Sequence, residues 1–194
     1  QGFDVTLFER DVPPPEGNAE EAFFSWQRRG AAQFRHPHAF LGLMCSVLGE
    51  KYPDLLDELL AAGARKLTFE DMVPDHLADQ YQPEAGDEKL WMLLCRRATI
   101  ETVLRHYVAR EPNLRIQSQT YVTDVIVEEA QSVQGEPTLT VTGLELTDRH
   151  NQNTKSTHSA DIIVNASGRA DKFYQWLQHK GADIVEQRDD AEIV

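Results

Sequence analysis

The stretch that most constrains the fold of this chain lies at residues 2–11, where Gly-Phe-Asp-Val-Thr-Leu-Phe-Glu-Arg-Asp comes shortly before three prolines. Val5, Leu7 and two phenylalanines make it mostly apolar and rich in residues that favour a β-strand. The charged triplet at its end and the prolines that follow would stop the strand. A strand this apolar belongs inside a parallel sheet, which predicts an α/β fold.

An acidic residue, Glu9, stands where this predicted strand ends. In dinucleotide-binding βαβ units a carboxylate at this point accepts hydrogen bonds from both hydroxyls of the adenosine ribose. Its two oxygens suit two adjacent hydroxyl donors. The alternative is an ordinary charged residue where a buried strand meets solvent, and this stretch alone leaves both interpretations open.

The glycine-rich turn G-x-G-x-x-G should precede such a strand by about 20 residues. It is absent because the chain begins at Gln1, without an initiator methionine. We therefore expect a fragment that lacks its first strand and first helix.

A second apolar stretch, at residues 160–169, runs into a turn of small residues that includes Ala166, Ser167 and Gly168. Small residues would let a phosphate-bearing cofactor approach the backbone closely. Together the two stretches resemble the FAD-dependent monooxygenases, the flavoprotein aromatic hydroxylases whose fold is shared with squalene epoxidase, flavin-dependent halogenases and geranylgeranyl reductases. The resemblance covers most of the chain and is closest to bacterial members with a Gln-Phe-Arg-His-x-His segment, here residues 33–38.

The resemblance implies a Rossmann-like FAD-binding domain, with a parallel sheet, an inserted antiparallel β-meander and both ends incomplete. It places this domain at residues 1–180, with an irregular excursion toward the substrate side at about residues 64–95. Residues 181–194 would begin a substrate domain.

The resemblance also assigns cofactor contacts. Arg29 would approach the FAD phosphates and adenine, Gln33 or His38 would lie near the flavin ring, and Arg97 would reach the flavin cofactor. The alternative is that Arg28 and Arg29 are a solvated arginine pair. A solvated Arg97 is a weaker alternative, because a cation at a helix N-terminus opposes the helix dipole unless a phosphate or carboxylate meets it. The full set of expected contacts is Glu9, Arg10, Arg29, Gln33, Arg97, Val122, Ala166 and Gly168.

The chemistry that the resemblance implies is monooxygenation. NAD(P)H would reduce FAD, oxygen would add to the reduced flavin, and the flavin hydroperoxide would hydroxylate or epoxidise a small organic substrate. Ser167 replaces an Asp that many hydroxylases carry, which puts the use of NADPH in doubt more than the binding of FAD. A flavin-dependent reductase, a halogenase and a truncated fragment without activity stay open as alternatives, and no catalytic residue is assigned.

The resemblance implies a small-molecule substrate, composition argues against two other kinds of partner, and the oligomeric state stays open. A net charge of −13 repels nucleic acid and anionic membrane surfaces, and no apolar run reaches the roughly 20 residues that span a bilayer. Cys45 and Cys95 lie in apolar surroundings, which predicts reduced core thiols in a cytoplasmic protein. His36 and His38 lack a third ligand at a suitable spacing, so no metal site is expected.

Apolar residues at helical spacing predict helices at residues 39–48, ended by Gly49, and at 53–62, ended by Gly63. The clearest helix would have Thr99 as its cap, end before Pro112 and pair Glu101 with Arg105. A last helix would follow Arg169 and Asp171 and pack Trp176 and Leu177 inward.

Strands are expected at residues 90–95 and 114–118, the latter returning to the parallel sheet, whereas residues 64–90 predict irregular structure. Alternating apolar and polar residues predict the meander at 122–127, 139–141 with 144–146, and 154–158, with turns around Gly135 and residues 148–151.

Overall fold

The computed structural model of the chain describes residues 2–31, 33–131, 137–168 and 172–184. It divides into two units, Gln1–Ser118 and Gln119–Val194. The strands are β1 (Val5–Phe8), β2 (Pro37–Phe40), β3 (Arg65–Thr68), β4 (Trp91–Arg96), β5 (Leu114–Gln117), β6 (Thr120–Gln131), β7 (Pro137–Asp148) and β8 (Thr154–Ser159). The helices are α1 (Ala19–Ser25), α2 (Gly42–Lys51), α3 (Pro53–Ala61), α4 (Phe69–Met72), α5 (Arg97–Val108) and α6 (Phe173–His179), with 3-10 turns at Asp75–Gln80 and Asp87–Lys89.

The first unit contains a parallel strand pair. β1 lies beside β5 in a register that runs from Val5 opposite Leu114 to Phe8 opposite Gln117. This confirms both predicted strands and the α/β fold class. The expectation that β1 is buried inside a sheet is wrong for one of its faces. Val5 and Leu7, which share that face, are 43% and 41% exposed.

The first unit also contains an antiparallel sheet in the order β2-β4-β3. One apolar core packs helices α2, α3 and α5 against β4, because these elements place their apolar sides toward one another. A smaller core joins α1 and the following loop to the start of α5. The largest fully buried side chains of the first unit are Leu48, Leu59, Leu93, Thr102 and Cys45.

The helix expected at residues 39–48 starts later and ends later. Ala39 and Phe40 pair with Leu94 and Leu93 in the sheet, so the helix begins only at Gly42. It continues to Lys51, which places Gly49 inside α2 instead of at its end. The second helix, α3, is confirmed, with Pro53 in its first turn and Gly63 beyond it at a φ of +98°.

Two further expectations in the first unit are wrong. The stretch at residues 64–90 contains β3, which pairs with β4, and α4, which begins with a capping box between Thr68 and Asp71. The long helix α5 begins at Arg97, so Thr99 is a buried residue inside the first turn and not the cap.

The second unit is the predicted meander, an antiparallel sheet in the order β6-β7-β8. A turn at residues 149–153 joins its last two strands, whereas the turn expected around Gly135 lies outside the described residues. α6 is also confirmed as a helix, with Trp176 and Leu177 half-buried on it. Arg169 and Asp171, expected just before this helix, lie outside the described residues.

The apolar strand expected at residues 160–169 is wrong over its described part. The Ala160 N–H donates to the Thr142 carbonyl at 3.1 Å, and residues 161–168 then have no strand structure. Ile162 and Val164 are 66% and 82% exposed. An apolar sequence becomes a strand only where a neighbouring strand takes its backbone hydrogen bonds, and residues 161–168 belong to none of the described sheets.

Candidate cofactor-binding site

Glu9 follows β1 directly, at the carboxyl end of the parallel strand pair. Its backbone N–H donates to the Gln117 carbonyl at 2.9 Å and so extends the pairing of β1 with β5 by one residue. Its Oε1 accepts the Asp11 N–H at 3.0 Å, and its Oε2 accepts Arg28 Nη1 at 2.7 Å. Each carboxylate oxygen can accept two hydrogen bonds, so both oxygens keep acceptor capacity.

Five charged side chains form what we call the carboxylate–arginine cluster: Glu9, Asp11, Arg28, Arg97 and Glu101. Arg28 is its centre, because Nη1 also contacts Asp11 Oδ2 at 3.3 Å and Nε donates to Glu101 Oε2 at 2.8 Å. The other oxygen of Glu101 accepts Arg97 Nε at 2.6 Å. The cluster therefore links the end of β1, the loop after α1 and the first turns of α5.

Local packing explains why Arg28 reaches this position. The Trp26 indole N–H donates to the Val12 carbonyl at 2.9 Å, and the Trp26 ring packs edge-on against Phe34. The guanidinium of Arg28 lies over the Trp26 ring, 5.1 Å from its centroid. The buried Asp11 carboxylate also accepts the Gly30 N–H at 3.0 Å, which holds the loop after α1 against the end of β1.

The electrostatics keep Glu9 ionised. Burial alone would raise the pKa of Glu9, but the Asp11 N–H, the hydrogen bond and charge of Arg28, and the charge of Arg105 together lower it below its ordinary value. For Arg28, burial opposes the charged form, but its bonds and charge interactions with Glu9 and Glu101 outweigh burial and raise its pKa. An ionised carboxylate accepts hydrogen bonds at both oxygens, which a ribose ligand requires.

The structure brings only some of the expected site residues of the first unit together. Glu9 and Arg97 belong to the carboxylate–arginine cluster, and Arg10 Nε lies 4.0 Å from Asp11 Oδ1 at its edge. Arg29 and Gln33 are exposed. Arg97, expected to reach the flavin cofactor, binds a carboxylate of its own helix, Glu101.

Sequence reasoning missed Arg28, Asp11 and Glu101 as members of the site. The expected pair of Glu101 with Arg105 is wrong, because Arg105 donates to Ser118 Oγ at 2.7 Å. A signal for Arg28 was present in the sequence, since it adjoins Arg29 in a basic pair, but the pair itself does not say which arginine turns inward.

The remaining expected contacts lie in the second unit. Val122 is a half-buried residue of β6 opposite Leu146. Ala166 and Gly168 are exposed in the segment after β8, and Gly168 has a φ of +90° that favours glycine. Between them, the Ser167 N–H and Oγ both donate to Asn165 Oδ1, at 3.1 and 2.6 Å.

No helix in the described ranges combines the length and apolar character of a bilayer-spanning segment. The described part of the chain has no group of three His, Cys, Asp or Glu side chains placed to hold a metal ion. Cys45 and Cys95 are both buried, free thiols.

A parallel strand pair that ends in an ionised, partly exposed glutamate is a feature of α/β proteins of the dinucleotide-binding class. Residues 5–187 match the family described as FAD binding domain. The chain therefore belongs to the FAD binding domain family and has its Rossmann-like fold.

Two solved structures align with most of the chain. Thermovibrio ammonificans THI4 is 17% identical, with 93% of this chain and 54% of that chain covered and a TM-score of 0.49. A mutant of P. aeruginosa PqsL is 13% identical, with 97% and 42% covered and a TM-score of 0.53. The chain thus spans about half the length of these structures. A comparison with curated proteins gave no match.

Proposed function

We propose that this chain forms the FAD-binding part of a flavin-dependent oxidoreductase, and that the reaction is monooxygenation of a small organic substrate. The observation that carries the proposal is the position and state of Glu9. It lies at the carboxyl end of β1, it is held ionised, and its side chain is 23% exposed. The family match supports FAD as the ligand, and the resemblance of the sequence to flavoprotein hydroxylases supports the reaction.

The residues present fit the adenosine half of FAD. Glu9 has acceptor capacity on both oxygens, which suits the two adjacent hydroxyls of a ribose. Arg10 and Arg29 are exposed cations in the same unit, and cations of this kind attract the negatively charged phosphates of a dinucleotide. We propose Gln33, Arg97, Val122, Ala166 and Gly168 as further contacts.

The protein and the cofactor divide the chemistry. FAD, when bound, supplies electron transfer and the activation of oxygen, with NAD(P)H as the proposed reductant. This chain supplies binding and orientation: Glu9 would hold the ribose through its carboxylate, and the charge of the exposed arginines would balance the phosphates. The proposal needs no nucleophile or metal ion from this chain.

Flavin retention tests the proposal. The full-length protein should purify with visible flavin absorbance, and Glu9→Ala should bind FAD at least about tenfold more weakly, the effect of losing hydrogen bonds to a charged group. Glu50→Ala makes the same change at an exposed glutamate of α2 and should bind FAD like the wild type. A wild type that binds no FAD, or an unchanged Glu9→Ala variant, would refute the proposal.

The reaction needs a second measurement. The flavin-loaded protein is supplied with NADPH or NADH, isotopically labelled oxygen gas, chloride and bromide ions, and a panel of small aromatic compounds. A labelled oxygen atom in a product supports monooxygenation. Reduction or halogenation of a compound without incorporated oxygen would instead identify a reductase or a halogenase.

A further inference from the structure

We infer that Arg28 is a positioning residue, which holds the Glu9 carboxylate in the orientation that receives the adenosine ribose of FAD. This inference rests on the proposed function. It concerns a residue that would act through Glu9 and not by touching the cofactor.

The geometry holds the Glu9 carboxylate from two sides. Arg28 Nη1 lies 2.7 Å from Oε2, and the Asp11 N–H lies 3.0 Å from Oε1. One bond to each oxygen fixes the plane of the carboxylate and leaves the remaining lone pairs in a defined direction. The Arg28 and Glu9 side chains are only 15% and 23% exposed, so water competes weakly for these bonds.

Arg28 is itself held in place by the elements around it. Its Nε donates to Glu101 Oε2 at 2.8 Å, and its guanidinium lies over the Trp26 ring. Arg97 donates to the other oxygen of Glu101 at 2.6 Å. The orientation of Glu9 is therefore coupled through Arg28 to the first turns of α5.

A guanidinium suits this role better than an ammonium. Arg28 uses two different nitrogen atoms, Nη1 toward Glu9 and Nε toward Glu101, in one rigid plane. A lysine ammonium is a single point charge and cannot reproduce this planar fork. Lysine at this position would keep the positive charge and lose the fixed geometry.

The charges around Glu9 come from three segments. Asp11 lies on the same segment as Glu9, and Arg28 comes from the loop after α1. Helix α5 contributes Arg105, whose charge acts on Glu9, and Glu101, which pairs with Arg28. Removal of the Arg28 charge would leave two carboxylates, Glu9 and Asp11, without the cation between them. FAD binding weakens at low pH when Glu9 takes up a proton, and we call this part of the pH profile the acid limb. The acid limb should then move to higher pH, because without Arg28 the Glu9 carboxyl would take up a proton more readily.

The test compares FAD with FMN, which lacks the adenosine ribose, in the full-length protein. Arg28→Gln should raise the Kd for FAD about tenfold or more, the usual effect of losing a hydrogen bond to a charged group, and leave the Kd for FMN unchanged. The Kd of the Arg28→Lys variant for FAD should lie between those of Arg28→Gln and the wild type. Arg110→Gln is the matched control, since Arg110 is an exposed arginine that pairs with Glu58 at 2.7 Å outside the cluster.

A double-mutant cycle separates positioning from a structural role. If Arg28 acts through Glu9, Arg28→Gln should cause no further loss of FAD affinity in a Glu9→Gln background. Additive losses, equal losses for FAD and FMN, or an unmoved acid limb would each overturn the inference while the proposed function stands. A wild type that does not bind FAD, or a Glu9→Gln variant that binds it fully, refutes the proposed function and this inference with it.

Discussion

Glu9 gives a prediction for stability as a function of pH. Burial opposes its ionisation, but the Asp11 N–H, Arg28 and Arg105 outweigh burial and lower its pKa from the ordinary 4.5. A carboxyl group with a lowered pKa in the folded state stabilises the protein above its ordinary pKa, and this contribution is lost as the pH falls through the lowered value. Glu9→Gln should therefore reduce the free energy of unfolding by about 1–3 kcal/mol at neutral pH and by little in acid.

Urea unfolding followed by tryptophan fluorescence measures this difference at neutral pH and at the lowest pH at which the wild type still unfolds cooperatively. Glu50→Gln, at an exposed position of α2, should show no comparable change at either pH. A Glu9→Gln penalty of the same size at both pH values would contradict the assignment of the Asp11 N–H, Arg28 and Arg105 as the cause of the lowered pKa.

At the scale of residues, local patterns located Glu9 but not its partners. An apolar run that ends in a carboxylate is contiguous in sequence, so the sequence predicts it. Arg28 is 19 residues from Glu9 and 73 from Glu101, and no local rule joins them. The i,i+4 rule is also ambiguous, because Arg97 and Arg105 are both four residues from Glu101. The fold decides between them, since Arg28 lies beside Glu101 and Arg105 binds Ser118 instead.

At the scale of elements, Gly49 gives a second prediction. It lies inside α2, where alanine is more favourable than glycine by about 0.5–1 kcal/mol because glycine loses more backbone entropy. An added Cβ would meet only Trp91 Cζ2, at an ordinary distance of 3.9 Å. Gly49→Ala should therefore raise the free energy of unfolding by about this amount.

Gly63→Ala is the matched control, because Gly63 has a φ of +98° that an alanine adopts only with strain. It should destabilise the protein, although nothing within 4 Å would meet its Cβ. Thermal unfolding of both variants beside the wild type tests the pair. A lower melting temperature for Gly49→Ala would show that α2 does not extend through this residue.

The sequence did not predict the elements that are defined by their pairing and not by a pattern of their own. β3 is four residues long and carries two cations, so its sequence does not suggest a strand, and its pairing with β4 defines it. Lys66 of β3 places its ammonium 4.7 Å from the centroid of the Trp91 ring on β4. Residues 161–168 show the reverse, because their apolar sequence forms no strand in the described part of the chain.

At the scale of the whole chain, the fold class was predictable because the elements that define it carry strong patterns. β4 alternates buried and half-buried residues, and α5 places five buried residues within its first seven positions. The meander follows from three alternating segments separated by turns. The boundaries were less predictable, since pairing of Ala39 and Phe40 in a sheet outweighs their helical spacing.

The net charge of −13 and the isoelectric point of about 4.9 give a prediction for the behaviour of this chain in solution. At pH 7 like charge keeps molecules apart, and this repulsion disappears as the pH approaches the isoelectric point. We expect light scattering at low salt to rise to a maximum near pH 4.9 and to reverse when the pH is restored.

Circular dichroism at the same pH separates association from unfolding. The spectrum should keep its folded form near pH 4.9, because the lowered pKa of Glu9 keeps its carboxylate ionised and bound to Arg28 there. Scattering that stays at its pH 7 level would contradict the view that net charge keeps these molecules apart. If scattering rises only when the folded spectrum is lost, the protein associates because it unfolds in acid and not because its net charge falls.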